Sequence, residues 1–198
     1  MKMGMPAEKR QGKYTYGDYL KWSEDDHWEL IDGIVRSMSP APGRFHQVIS
    51  KRLMWQIENH VIGMECLPYA APFDVVFLDS VDQDEAAATT VVQPDISVIC
   101  DKSKLTENGC TGPPDWIIEI VSPYTSRRDF IEKLHLYERH GIREYWIIDP
   151  GNAYAHIYVA AEEGSYPADP ILVLRNGTAD CHVLKGLRIQ MQKLFAPE

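Results

Sequence analysis

The sequence predicts a mixed α/β (α+β) domain built on a central β-sheet. Three observations carry that reading. Residues 115–121, DWIIEIV, are a near-continuous apolar run; a helical stretch follows over 126–140, and residues 143–149, REYWIID, return to strand character. That is the order of a βαβ crossover, and it implies a parallel strand pair. Residues 44–61 repeat apolar side chains at Ile49, Leu53, Ile57 and Val61, the spacing of an amphipathic helix. Much of 66–100 is β-branched or aromatic, as strands are.

Taken in order, residues 1–13 are polar, with Gly, Pro and mixed charge, and read as a loose N-terminal arm. The single domain is expected to span 14–198. Thr15 is placed to cap a short helix, YGDYLKW, with Tyr16, Tyr19 and Leu20 on one face. Residues 28–37, WELIDGIVRS, read as a hairpin turning at Asp32-Gly33, a dipeptide that supplies the positive φ angles a tight hairpin needs. Pro40 and Pro42 break the chain before the amphipathic helix. Residues 73–78 and 91–100 read as strands, separated by an acidic loop over 79–90 that is expected to be mobile. A second loop occupies 101–114. The helix that opens at Ser126 stops at Gly141, a residue suited to a left-handed C-terminal cap. Residues 153–160 are a further strand, and the tail (171–195) carries β-like pieces.

Composition bounds the function. The chain has 198 residues, 44% of them apolar and 25% charged, with a net charge of −9, an ordinary globular balance. No apolar run approaches a membrane span, and the start, MKMGMPAEKRQGKY, lacks the apolar core of a secretory signal; a cytoplasmic protein is expected. Cys66, Cys100, Cys110 and Cys181 are scattered with no CxxC pair. They read as small buried hydrophobes rather than zinc ligands or a disulfide framework.

Three residues stand out chemically. Glu119 lies inside the apolar run 115–121, where alternation puts Ile117, Glu119 and Val121 on one face and Trp116, Ile118 and Ile120 on the other. An acid there must be paired, hydrogen-bonded or metal-bound, unless it reaches solvent at the strand end. Asp95, in VVQPDISVIC, is either a second strand acid or part of a turn after Pro94; the β-branched flanks favour the continuous strand. Two such carboxylates suit a hard dication, which takes oxygen ligands and commonly one or two protein carboxylates. Lys133 flanks the helix stripe marked by Phe130, Leu134 and Tyr137, with Asp129 four residues before it. The ordinary alternative is a lysine whose stem covers the core edge.

These residues in this order resemble the PD-(D/E)XK nucleases. Pro94-Asp95 is followed by Glu119 in the next core strand. Val121 stands where the usual Glu-x-Lys pattern has lysine, and Lys133 resembles the migrated lysine of some branches. WELIDGIVRSMSPAP, His46 on a helix, QPDISVI, and PPDWIIEIVSPYTSRRDFIEKLHLYERHGIREYWIIDP narrow the resemblance to the Uma-two family of restriction-endonuclease-like proteins, over about residues 14 to 160. The resemblance implies a restriction-endonuclease-like fold, a central mixed β-sheet flanked by helices with extra N- and C-terminal strands. It implies a metal-dependent endonuclease acting on DNA, with Mg²⁺ or Mn²⁺ as cofactor. Asp95 and Glu119 would ligate the metal and Glu29 would complete the site directly or through water. Lys133 would activate water or stabilise the phosphate. His46 would contact phosphate or a metal-bound water, or serve as a hydrogen-bonded structural residue. Asp129 would position Lys133, and Arg127 and Arg128 would touch phosphates or remain a solvated pair. The alternative is a catalytically inactive nuclease-like module that binds nucleic acid or protein; a scaffold unrelated to nucleic acid has only the acidic charge in its favour. A homodimer is expected because one small site cuts one strand and two-fold oligomers are the commonest.

The charge is uneven. Residues 53–101 contain nine acids and no Lys or Arg, whereas Arg127, Arg128, Lys133, Arg139 and Arg143 cluster against three acids in 127–143. That distribution is compatible with weak, salt-sensitive, metal-dependent DNA binding.

Overall fold

The structure is a computed structural model that describes residues 13–22, 28–38, 43–80, 82–122 and 126–197. The expected N-terminal arm, apart from Lys13, and the break at Pro40 and Pro42 lie outside these residues. The fold is mixed α+β. Its strands form not one central sheet but two sheets and a short ribbon.

Helix α1, Tyr16–Tyr19, begins at Thr15, whose backbone N–H and hydroxyl both donate to Asp18, closing a capping box. Strands β1 (Trp28–Ile31) and β2 (Ile34–Ser37) pair around Asp32 and Gly33, both with positive φ, as a type I′ turn requires. Helix α2, Arg44–Val61, buries the expected Ile49, Leu53, Ile57 and Val61. Strands β3 (Leu67–Ala70), β4 (Asp74–Phe77), β5 (Thr90–Val92), β6 (Ile96–Ile99), β7 (Gly109–Thr111), β8 (Trp116–Ile120), β9 (Glu144–Asp149), β10 (Tyr154–Val159) and β11 (Ile171–Leu174) follow, and the ribbon is β12 (Thr178–Asp180) with β13 (Arg188–Gln190).

The larger sheet has the order β11-β10-β9-β8-β6-β3 and the smaller β2-β1-β5-β4-β7. The predicted crossover is present: β8 and β9 pair in parallel, joined by the helical segment on the face that looks toward the smaller sheet. Trp116, Ile118 and Ile120 of β8 face a core shared with α2, the ribbon and the C-terminal helix α4 (Met191–Leu194), while Ile117 and Val121 face the second core with β4, β5 and the helix. The alternation read from the sequence therefore holds, and it puts Glu119 on the face between the two sheets.

Four expectations are corrected. Residues 91–100 are not one strand. The chain leaves the smaller sheet at Val92 and enters the larger at Ile96, turning at Gln93-Pro94-Asp95, because proline has no N–H to continue a ladder. The helix after Ser126 is not uniformly α. Arg128–Lys133 is a π-helical turn that runs into α3, Leu134–Arg139. Phe130 and Leu134 pack half-buried against the second core as expected, and the fully buried positions of the segment are Asp129, Lys133, Leu136 and Tyr137. The acidic loop is anchored rather than loose. Asp84 caps a 3₁₀ turn, Glu85–Ala87, and the following Ala88 and Thr89 accept backbone hydrogen bonds from Tyr16 and Gly33. Finally, Cys66 and Cys100 form a disulfide. They extend the β3–β6 register one pair beyond Leu67 opposite Ile99; Cys110 and Cys181 are free and buried, as expected.

Two contacts hold the outer elements. Gly109 lies where an added Cβ would meet the Asp74 carbonyl oxygen at 1.9 Å, so only glycine permits β7 to pair beside β4. Glu144 is fully buried at the start of β9. Its carboxylate accepts from the Trp146 indole at 2.7 Å, from the backbone N–H of His182 (2.9 Å) and Val183 (2.7 Å), and from the Cys181 thiol. It thereby clamps the tail onto the larger sheet. Glu144→Ala leaves these buried donors without an acceptor, and each costs about 1–3 kcal/mol. Urea unfolding is expected to show a loss of about 3 kcal/mol or more; an unchanged midpoint would refute the clamp.

Candidate functional site

The site forms where the two sheets face each other across the helix. Glu29 comes from β1 of the smaller sheet, and Asp95 from the turn where the chain changes sheets. Glu119 comes from β8 of the larger sheet, and Lys133 from the last position of the π-helical turn. Each of these elements was placed by packing of apolar neighbours, so four sequence-distant polar groups converge without a local motif.

The Lys133 ammonium is the centre. Its Nζ lies 2.8 Å from Glu29 Oε1 and 2.8 Å from Glu119 Oε1, with all three side chains buried. The Tyr137 hydroxyl donates to the same Glu119 oxygen at 2.7 Å, and the Gln93 backbone N–H donates to Glu29 at 3.2 Å. Asp95 and Glu119 are joined through each other's backbone. Asp95 N–H donates to Glu119 Oε2 at 3.5 Å, and Ile120 N–H donates to Asp95 Oδ2 at 2.7 Å. His46, on the first turns of α2, sets its Nε2 3.1 Å from Asp95 Oδ2. Arg128 stands 3.6 Å from Glu29 while donating to the Ser37 carbonyl. Asp129 is buried on the same helical face as Lys133 and adds its charge to the cluster. Arg127 is exposed at the helix start and, among the described residues, makes no ion pair with these groups.

Negative charge is in surplus. Burial, then the charges of Asp129, Asp95 and Glu29, push the Glu119 carboxyl up to about 8, although Lys133 opposes the rise. Burial also works against the Lys133 charge, but Glu119, Glu29 and Asp129 outweigh it and hold the ammonium well above the ordinary lysine range. The ammonium is therefore the fixed charge, and Glu119 is the member that carries the excess. Burial lowers the His46 imidazole, and its hydrogen bond to Asp95 together with that carboxylate's charge more than reverses this. Tyr137 is held as a phenol, by burial first and by Glu119 second.

Among the described residues, no group of three or more His, Cys, Asp or Glu side chains is arranged to hold a metal ion. The chemistry of the smaller donor set nevertheless fits a hard dication. Asp95 and Glu119 offer carboxylate oxygens, two such ligands suffice for Mg²⁺ when waters and phosphate complete the shell, and Glu119 is a carboxylate short of positive charge.

Sequence reasoning did not single out several contributors. Tyr137 was read as core, yet its hydroxyl is aimed at Glu119. Behind Glu29, the buried Asp74 accepts from Gln93 Nε2 (2.7 Å), Tyr19 OH (3.1 Å) and Tyr16 OH (3.5 Å). This network pins α1 and the Gln93 turn beside the site. The signal was present in FDVVFL, where one acid opens an apolar strand, the same anomaly that drew attention to Glu119.

The Uma2 family model, described as "Putative restriction endonuclease", matches residues 16–192. The chain is 24% identical over 178 residues to the "Uncharacterized protein slr1290" of Synechocystis sp., covering 88% of this chain and 86% of that protein. It is also similar in fold to the crystal structure of a "putative nuclease belonging to DUF820" from Anabaena variabilis. There the TM-score is 0.72 at 21% identity, with 92% of this chain and 97% of the other covered.

The buried triad makes a stability test. Lys133→Met strands Glu29 and Glu119 in the core, and breaking a buried pair in this way costs about 3–5 kcal/mol. The charge-free triple variant Glu29→Gln/Lys133→Met/Glu119→Gln is expected to recover much of that loss in urea unfolding. A triple variant no more stable than the single one would show that the three charges do not act as a unit.

Proposed function

Because the chain belongs to the Uma2 family of "putative restriction endonucleases", we propose that it is a metal-dependent endonuclease. It hydrolyses the phosphodiester bonds of DNA with Mg²⁺, or Mn²⁺ in its place, held by Asp95 and Glu119. The observation that carries this reading is the charge surplus. Four carboxylates, Glu29, Asp95, Glu119 and Asp129, gather around the buried Lys133, and burial first, then the charges of the other three, push Glu119 up to about 8. A second cation at Asp95 and Glu119 relieves that repulsion.

When bound, the dication supplies charge stabilisation at the phosphate and acidifies water. The chain's own residues do the rest. Lys133 provides preorganised positive charge where negative charge grows on the phosphate oxygens. Glu29 and the Tyr137 hydroxyl restrain Lys133 and Glu119 so that neither reorganises during the reaction. His46 holds the Asp95 carboxylate, and Arg128, at the rim beside Glu29, takes a phosphate of the incoming strand. Asp129 positions Lys133. One such site cuts one strand, so a two-fold dimer accounts for cleavage of both.

One observation favours a second reading, a nuclease-like module that binds without cutting. Lys133 is already satisfied by two carboxylates, as in a purely structural triad.

Purified protein is expected to nick supercoiled plasmid with Mg²⁺ or Mn²⁺ and to stop with EDTA. Asp95→Asn and Glu119→Gln should each lower the rate by about 10²-fold or more, the size of one lost electrostatic contact, and should abolish Mn²⁺ binding in calorimetry. Absence of both cutting and divalent binding in the wild type would leave the second reading. Cutting by Lys133→Gln at the wild-type rate would remove the lysine from the chemistry.

A further inference from the structure

The cations that the sequence clusters in 127–143 are largely taken up internally. Lys133 is buried in the triad, Arg128 is held by Ser37 and Glu29, Arg139 pairs with Asp32 and Arg143 with Asp115. Exposed positive charge gathers elsewhere. A groove of about 410 Å³ runs between α2 and α4, lined by Val48, Lys51, Arg52, Trp55, Gln56 and Lys193. Among the described residues no acid lines it, although the chain carries a net charge of −9. Lys51 and Lys193 are exposed and make no ion pair among the described residues. Arg52 forms the floor, fixed by donating to the carbonyls of Leu194 (3.0 Å) and Ala196 (2.6 Å). Trp55, which also lines the groove, is 61% exposed.

An exposed indole among three cations has no role in packing this fold. Its chemistry is that of a stacking platform with charge beside it: the ring takes a flat aromatic group, and the ammonium and guanidinium groups take the anions that flank it. Bases offer a face for stacking only when unpaired, so a duplex satisfies the cations but not the indole. Nine residues separate Trp55 from His46, which turns it to the opposite side of α2 and about 14 Å along the axis. The groove is thus separate from the Asp95–Glu119 cluster.

We propose that the α2–α4 groove is a binding site for a single strand of nucleic acid, with one base stacked on Trp55 and its flanking phosphates on Lys51, Arg52 and Lys193. The site operates without a divalent ion.

The test uses the full chain in EDTA with fluorescein-labelled oligothymidylate about a dozen nucleotides long, a length on the order of one single-strand site. Oligouridylate and a duplex of equal length serve as comparisons. Oligothymidylate or oligouridylate is expected to raise anisotropy and change tryptophan emission, with the duplex weaker. Trp55→Ala is expected to weaken binding about tenfold, the size of one lost base–aromatic stack. Lys51→Gln and Lys193→Gln should each reduce the slope of log affinity against log salt by about 0.7. All three positions are exposed, so thermal unfolding should match the wild type. Wild-type affinity and salt slope in these variants, or a duplex bound as tightly as the single strand, would overturn the proposal. The catalytic reading stands apart: binding that survives in EDTA with no cleavage in Mg²⁺ would refute only the endonuclease, and cleavage with unaltered binding by Trp55→Ala would refute only the groove.

Discussion

The Lys133 ammonium between Glu29 and Glu119 is the contact on which the arrangement of the site depends. It joins a strand from each sheet to the helical turn that crosses between them, all within 2.8 Å contacts. Removing such charges from water is expensive, and their mutual attraction does little more than offset that cost. Stability alone therefore does not explain the triad, since well-packed apolar side chains would hold the sheets at least as well. What the charges add is direction. Two carboxylates, Glu29 and Glu119, are fixed by one ammonium, by the Tyr137 hydroxyl and by the backbone N–H groups of Gln93 and Asp95, so their oxygens are set before any ligand arrives.

The sheet change at Pro94-Asp95 explains how residues so far apart in sequence meet. Gln93 faces the smaller sheet's polar cluster, Asp74, Tyr19 and Glu29, while Asp95 faces Glu119 and His46 on the larger sheet's side. Proline breaks the ladder, and the acid that follows is left at the junction with its carboxylate on the Ile120 N–H. The residue that terminates one sheet thus also delivers a ligand-type side chain to the other.

Much of this was legible in the sequence, for identifiable reasons. Periodicity located α2 and both faces of β8, because burial of one face is a strong constraint that repeats along the element. Glu119 and Asp95 stood out as acids in apolar runs, and Glu29 came from the family resemblance. What periodicity could not show were breaks that depend on partners. The split of residues 91–100 is decided by which sheets flank Pro94. The π-helical turn is a backbone phase change, invisible to a fixed 3.6-residue period, and Lys133, its last residue, is buried rather than set along the core edge. The Cys66–Cys100 pairing depends on β3–β6 register, and the Glu144 clamp on where the tail returns. Charge counting likewise could not show that Arg128, Arg139 and Arg143 pair with acids from other elements.

The π-helical turn has one more consequence. A π turn spans its length with one residue more than an α-helix would use. Ile131, in the middle of it, is exposed and points away from the cluster. Deleting Ile131 would remove no contact with Glu29 or Glu119. It would let the turn relax to α with its flanks still in phase, because one extra residue is what a π turn accommodates. What the π turn sets is the phase inside it. Arg128 and Lys133, five positions apart, both reach Glu29, whereas five positions on an α-helix are about 140° apart. The backbone phase of this segment is therefore as much a part of the site as its side chains.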